Sequence, residues 1–151
     1  MGARLQLAIF GRVLLATLLG YLIGLEREYR GKAAGERTFA LLSLGAAALV
    51  ALGVERFPLT GDRVIQGVVT GVGLLCAGII FRASGPPHGL TTAVAAWAAT
   101  AIGVLCGATL YLAAGLTTLL TIGILEAQQL AVVRGVRKLG KGRSHEDDDT
   151  A

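Results

Sequence analysis

The chain alternates between long apolar runs and short charged segments. A run of 17 residues covers roughly 26 Å as a helix, slightly less than the roughly 30 Å hydrocarbon core of a bilayer. The pattern therefore predicts an all-α protein, a polytopic transmembrane helical bundle with five spans. The predicted spans are Leu5–Leu25, Thr38–Val54, Val64–Phe81, Thr91–Cys106 and Thr109–Leu125.

The stretch from Thr91 to Leu125 allows more than one interpretation because its 35 residues include no charge. As a single helix it would be roughly 52 Å long, too long for a bilayer even when tilted. Two short helices joined near Gly107 and Ala108 fit better. A re-entrant fourth segment, with four spans in total, is the alternative.

The distribution of Lys and Arg predicts the orientation. With five spans, ten basic residues lie on one side and four on the other, whereas four spans give nine against five. The positive-inside rule thus favours five spans, with the N-terminus outside and the C-terminus in the cytoplasm. The ten are Arg27, Arg30, Lys32, Arg37, Arg82, Arg134, Arg137, Lys138, Lys141 and Arg143, and the four are Arg4, Arg12, Arg56 and Arg63.

Composition supports this class. The chain is 54% hydrophobic and 16% charged, with a mean hydropathy of +0.67, which is more apolar than a typical soluble domain. Its net charge of +4 comes from basic residues that flank the spans, so no nucleic-acid partner is expected. We predict a transmembrane domain over residues 1–133. Residues 134–151 are predicted to form a disordered cytoplasmic tail, first basic and then acidic, with no soluble domain after it.

Small residues recur at four-residue spacing within several runs. Helices in lipid associate by close backbone packing, for which small side chains are needed. The predicted packing positions are Gly20 and Gly24 on the first span, Gly67, Gly71 and Gly78 on the third, and Ala95, Ala99 and Gly103 on the fourth.

A charged cluster separates the first two runs, with Glu26, Arg27 and Glu28 before the loop and Arg37 after it. It is either a solvated loop that sets topology or one wall of a polar pocket on the cytoplasmic side. Glu28 continues the row of Gly20 and Gly24, so it is expected to point into the bundle and pair with an arginine, whereas Glu26 is expected at the helix edge. The predicted pocket comprises Glu26, Arg27, Glu28, Arg37, Thr38, Arg82, Thr91 and Thr92.

Arginines outnumber carboxylates in this pocket, whereas Mg²⁺ prefers carboxylates and retained waters. The cluster better suits internal ion pairs, an anionic ligand, a lipid head group or an acidic surface on another membrane protein. Neither His88 nor His145 has neighbours at metal-ligand spacing, and Cys76 and Cys106 fall within predicted spans. The sequence has no catalytic Ser–His–Asp order and no phosphate-binding glycine loop followed by Lys. We therefore expect no enzyme activity, no cofactor and no metal site.

Three segments resemble the motifs of the MgtC/SapB family of membrane proteins. The first is Gly20-x-x-Ile23-Gly24-Leu25-Glu26-Arg27-Glu28 with Gly35-x-Arg37-Thr38, the second runs from Arg63 to Arg82, and the third is Gly89-Leu90-Thr91-Thr92-Ala93 with Trp97 and Ala101-Ile102-Gly103. The chain departs from the family pattern at Gly73-Leu74-Leu75-Cys76-Ala77-Gly78, where Gly-Phe-Leu-Gly-Ala-Gly is usual. It also has Pro86-Pro87-His88 before Gly89, where virulence-associated members often have an Asn-Val-Arg-like stretch.

The resemblance implies a multi-pass protein of the cell inner (plasma) membrane. Some members of the family are linked to growth at low magnesium and to restraint of ATP synthase. It implies a regulatory role, in stress adaptation or magnesium homeostasis, through contacts with another membrane protein, with membrane lipid or with a second copy. A transporter or channel for an ion or a small anionic solute is the alternative.

Overall fold

The computed structural model of the protein describes residues 2–81 and 89–127. These residues form five helices and contain no strand, so the predicted all-α helical bundle is confirmed. Four of the helices are long and apolar enough to cross a membrane, and the fifth is a 17-residue apolar helix. The helices are α1 (Ala3–Tyr29), α2 (Glu36–Arg56), α3 (Gly61–Phe81), α4 (Leu90–Gly107) and α5 (Tyr111–Ala127).

The described residues fall into two units, of which the first ends at Thr121 and the second begins at Ile122. Within the second unit the structure describes residues 122–127, the end of α5. The predicted domain boundary at residues 133 and 134 lies outside the described residues, as does the predicted tail.

The uncharged stretch from Thr91 to Leu125 folds as two helices, which confirms the preferred prediction from the sequence. A Schellman turn ends α4: the Leu110 N–H donates to the Leu105 carbonyl (2.8 Å), and the Thr109 N–H donates to the Cys106 carbonyl (3.1 Å). This turn places Thr109 in the left-handed region, at φ +66°. Left-handed backbone is unfavourable for a residue with a branched Cβ.

Replacing Thr109 with glycine should therefore stabilise the protein. The left-handed conformation costs an L-residue about 1–2 kcal/mol, and part of that gain is lost to the greater chain entropy of glycine when unfolded. We expect a net gain of about 0.5–1 kcal/mol, seen as a higher midpoint of thermal unfolding in detergent. Thr60→Gly, in a loop and without positive φ, is the control and should bring no gain.

The interior of the bundle lies where α1, α2 and α4 meet. Ser43 of α2 is fully buried, and its hydroxyl donates to the Ala99 carbonyl of α4 over 2.8 Å. Gly20 of α1 packs directly on this serine, because a Cβ there would overlap the Ser43 hydroxyl and come within 2.7 Å of the Phe39 carbonyl oxygen. Gly103 of α4 packs on the same segment of α2. The backbones of three helices thus approach closely around one serine.

Helix α3 packs differently from the prediction. Gly67, Gly71 and Gly78 are exposed, and a Cβ built at any of them would meet no atom within 4 Å. The buried side of α3 instead carries Val68 and Val72. Branched side chains on this face offer more van der Waals surface to α2 and α4 than glycines would, which accounts for the difference. The predicted packing role of the three glycines is therefore corrected.

Candidate functional site

The two charged motif segments meet at one end of the bundle. A Schellman turn with Gly31 at φ +61° ends α1, and the Lys32 N–H donates to the Arg27 carbonyl (3.0 Å). The returning chain begins α2 directly against α1 at Gly24, where a Cβ would come within 3.0 Å of the backbone nitrogen of Glu36. Glycine at position 24 therefore permits the close approach of the two helices.

A network of charged side chains, the Glu26 cluster (Glu26, Arg27 and Arg30), lies at this end. Arg27 donates from Nη2 to Glu26 Oε1 over 2.6 Å and from Nε to Glu26 Oε2. Arg30 Nε lies 2.5 Å from Glu26 Oε1. The side chains of Arg27, Glu26 and Arg30 are 3%, 10% and 14% exposed. One carboxylate thus joins two largely buried guanidinium groups.

Glu28 has a different role. It is exposed, and its Oε2 accepts a hydrogen bond from the backbone N–H of Glu36, the first residue of α2, over 3.1 Å. The carboxylate therefore satisfies a free donor at the N-terminus of α2, where negative charge is favourable. Gly35 makes room for it, since a Cβ at position 35 would overlap the Glu28 carboxylate.

This arrangement reverses the expected roles of the two glutamates. A four-residue row drifts about 40° around a helix per turn, so Glu28 lies about 80° from Gly20. The buried face of α1 follows the true helical period and includes Gly20, Ile23, Gly24 and Arg27. The prediction that Glu28 points inward and Glu26 lies at the edge is therefore wrong.

The remaining predicted pocket residues differ in their solvent exposure. Arg37, Thr38 and Thr91 are exposed, whereas Thr92 is buried on α4. Arg82 lies outside the described residues. Arg30 and Glu36 take part in the site although they were not predicted to do so. Arg30 was detectable in principle, since it follows Glu26 at four-residue spacing on the same helix.

The chemistry of the Glu26 cluster is that of an internal ion-pair network. Both oxygens of Glu26 accept hydrogen bonds from the Arg27 guanidinium, Arg30 forms an ion pair with the same carboxylate, and the three side chains together carry a net positive charge. In the part of the chain that the structure describes, no group of three or more His, Cys, Asp or Glu residues is placed to hold a metal ion. The network therefore suits an anionic contact better than a cation.

Sequence reasoning missed a second ion pair at the opposite end of the bundle. Arg12 of α1 donates from Nη2 to Glu55 Oε1 of α2 over 2.7 Å. The signal was present, because antiparallel pairing of the first two runs brings a charge inside one run toward a charge at the end of the other.

Four helices long and apolar enough to cross a membrane, with many large hydrophobic side chains exposed on them, are typical of a multi-pass helical membrane protein. The sequence model of the MgtC family matches residues 13–132, and the chain belongs to this family. The resemblance of the three motifs to MgtC/SapB proteins is thereby confirmed.

Curated relatives agree with this membership. The chain is 42% identical over 113 residues to Protein MgtC of Brucella abortus, covering 72% of this chain and 46% of that protein. It is 41% identical over 85 residues to Protein MgtC of Salmonella typhimurium, covering 56% of this chain and 37% of that protein. It is also 40% identical over 104 residues to Protein SrpB of Synechococcus elongatus, covering 57% of this chain and 56% of that protein. The chain thus spans roughly a third to just over half of the length of these relatives. No solved structure matches.

Proposed function

We propose that the chain is a regulatory membrane protein of the MgtC type. It acts through protein contacts at the end of the bundle that carries the Glu26 cluster. This end faces the cytoplasm and the N-terminus lies outside, in the inner membrane, as the asymmetry of basic residues favours. By analogy with the family, the setting is adaptation to stress such as magnesium limitation, and the protein works without catalysis or a cofactor.

The packing of the bundle interior is the observation that carries this proposal. Between the two charged ends, α1, α2 and α4 meet through Gly20, Ser43, Ala99 and Gly103 with backbone atoms in contact. The Ser43 hydroxyl is already used by the Ala99 carbonyl, so it offers no free donor to a passing solute. A groove of about 460 Å³ between α2 and α3 is lined by apolar side chains and glycines such as Leu41, Leu49, Gly67 and Val72. This packing supports a contact protein over a transporter or channel.

Charge suggests the nature of the contact. The two guanidinium groups of the Glu26 cluster are paired with Glu26 and largely buried. Lys32 and Arg37, close to the cluster in sequence, are exposed. Exposed cations next to a rigid, buried network favour an acidic surface on another membrane protein. Anionic lipid head groups are attracted by the same residues, more weakly and without geometric selectivity.

Two measurements test the proposal. Protein reconstituted into liposomes is expected to move neither Mg²⁺ nor a small anion above the rate of empty vesicles, and a saturable flux would replace the proposal with the transporter alternative. In membranes, crosslinking followed by pulldown should recover a partner with the intact chain and markedly less of it with Arg37→Ala. Arg56→Ala, an exposed arginine at the opposite end, is the matched control and should leave recovery unchanged. Equal loss with both variants would show that general charge, not this surface, holds the partner.

A further inference from the structure

The ion pair of Arg12 and Glu55 lies among three helices. Arg12 Nη2 contacts Glu55 Oε1 at 2.7 Å, and Arg12 Nη1 lies 3.5 Å from the carbonyl oxygen of Gly107, the last residue of α4. The side chains of Arg12 and Glu55 are 11% and 24% exposed. One guanidinium therefore links α1, α2 and the C-terminus of α4, where a positive charge is favourable.

The position of Arg12 makes this contact consequential. It lies seven residues inside the apolar run that begins at Leu5, and charged residues within such runs are costly unless they are paired. Its Nε has no hydrogen-bond partner among the described residues. Compensation of its charge therefore depends on Glu55, and any departure of Glu55 leaves a largely buried cation.

We propose that Arg12 and Glu55 form an ionic latch that closes the end of the bundle opposite the Glu26 cluster by clamping α1 onto α2 and α4. Closure protects the C-terminal turn of α4, in which Gly107 packs against Ala47 and Val50 of α2. Release of either charge opens this end, because the remaining charge is drawn toward water. Glu55 is the more exposed of the two side chains, so solvent reaches the ion pair at Glu55.

The chain carries a built-in reporter of the latch. Cys106 precedes Gly107 and is fully buried, with 0% exposure. Replacing Cys76 with serine keeps a donor for the Ala93 carbonyl and leaves Cys106 as the sole cysteine. The rate at which N-ethylmaleimide labels Cys106 in the purified full chain in detergent then measures opening of this end.

In this background Arg12→Gln and Glu55→Gln should each raise the labelling rate about tenfold or more, the change in an opening equilibrium that corresponds to about 1.4 kcal/mol. The double variant should label more slowly than either single variant, since no orphan charge remains. Asp62→Asn and Arg63→Gln, exposed residues at the same end, are the controls and should leave the rate unchanged.

Unchanged Cys106 protection in both single variants would overturn the latch, as would a double variant that labels as fast as, or faster than, the single variants. If one single variant aggregates, the double glutamine variant and the remaining single variant decide. The latch predicts that Cys106 labels more slowly in the double variant, and equal or faster labelling in the double variant would refute it.

Discussion

Replacing Glu26 with glutamine is expected to lower the free energy of unfolding by about 3–5 kcal/mol, the usual cost of removing one member of a buried ion pair. The substitution keeps the shape of the side chain but removes the charge that compensates Arg27. Arg27 is 3% exposed, so water compensates little of its charge once Glu26 is neutral. Thermal and denaturant unfolding in detergent, followed by circular dichroism, measures the change.

Glu28→Gln is the matched control, two residues along the same helix. Glu28 is exposed and accepts one backbone hydrogen bond at the N-terminus of α2, so its loss should cost about 1 kcal/mol or less. In the double variant Glu26→Gln with Arg27→Gln, the loss should be smaller than the sum of the two single losses, because Arg27 no longer leaves an uncompensated charge in the interior. Simple additivity, or a larger loss at Glu28 than at Glu26, would contradict the geometry of the cluster.

The fold was predictable from the sequence because most of the chain consists of long apolar runs. Runs of 16 to 21 apolar residues bounded by charges leave a helix across a bilayer as the main way to satisfy the backbone. The absence of charge from Thr91 to Leu125 and the limit set by bilayer thickness then predicted the break that the structure places between Gly107 and Tyr111.

Side-chain roles were less predictable because they depend on rotation about each helix. The four-residue row of Gly20, Gly24 and Glu28 predicts an inward Glu28 only when the rotation of such a row around the helix is ignored. With that rotation included, Glu28 turns away from the interior, and Glu26 lies closer to it. On α3, glycine spacing alone indicated packing, yet which face meets α2 and α4 is decided by the neighbouring helices. Arg12 and Glu55 pair only once α1 and α2 are aligned, so no local motif marks them.

The second large effect is expected at Gly103. A Cβ at this position would overlap the Ser43 carbonyl oxygen and come within 2.8 Å of the Ala46 Cβ, so even alanine forces α4 away from α2. Gly103→Leu should cost about 3 kcal/mol, at the upper end of the usual overpacking penalty, because backbone rather than flexible side-chain ends must move. Ala99→Leu, at the fully buried neighbour whose carbonyl accepts from Ser43, should behave similarly.

Two comparisons make this prediction specific. Gly71→Leu places the same side chain at an exposed glycine of α3 with no atom within 4 Å of its Cβ, and it should not lower the free energy of unfolding, since leucine is a better helix former than glycine. Leu105→Ala, at a half-buried position on α4, should cost less than Gly103→Leu, since it removes contacts without separating backbones. Unfolding midpoints in one detergent rank the four variants. Equal tolerance of leucine at Gly103 and Gly71 would mean that α2 and α4 do not approach as closely as the Ser43 contacts require.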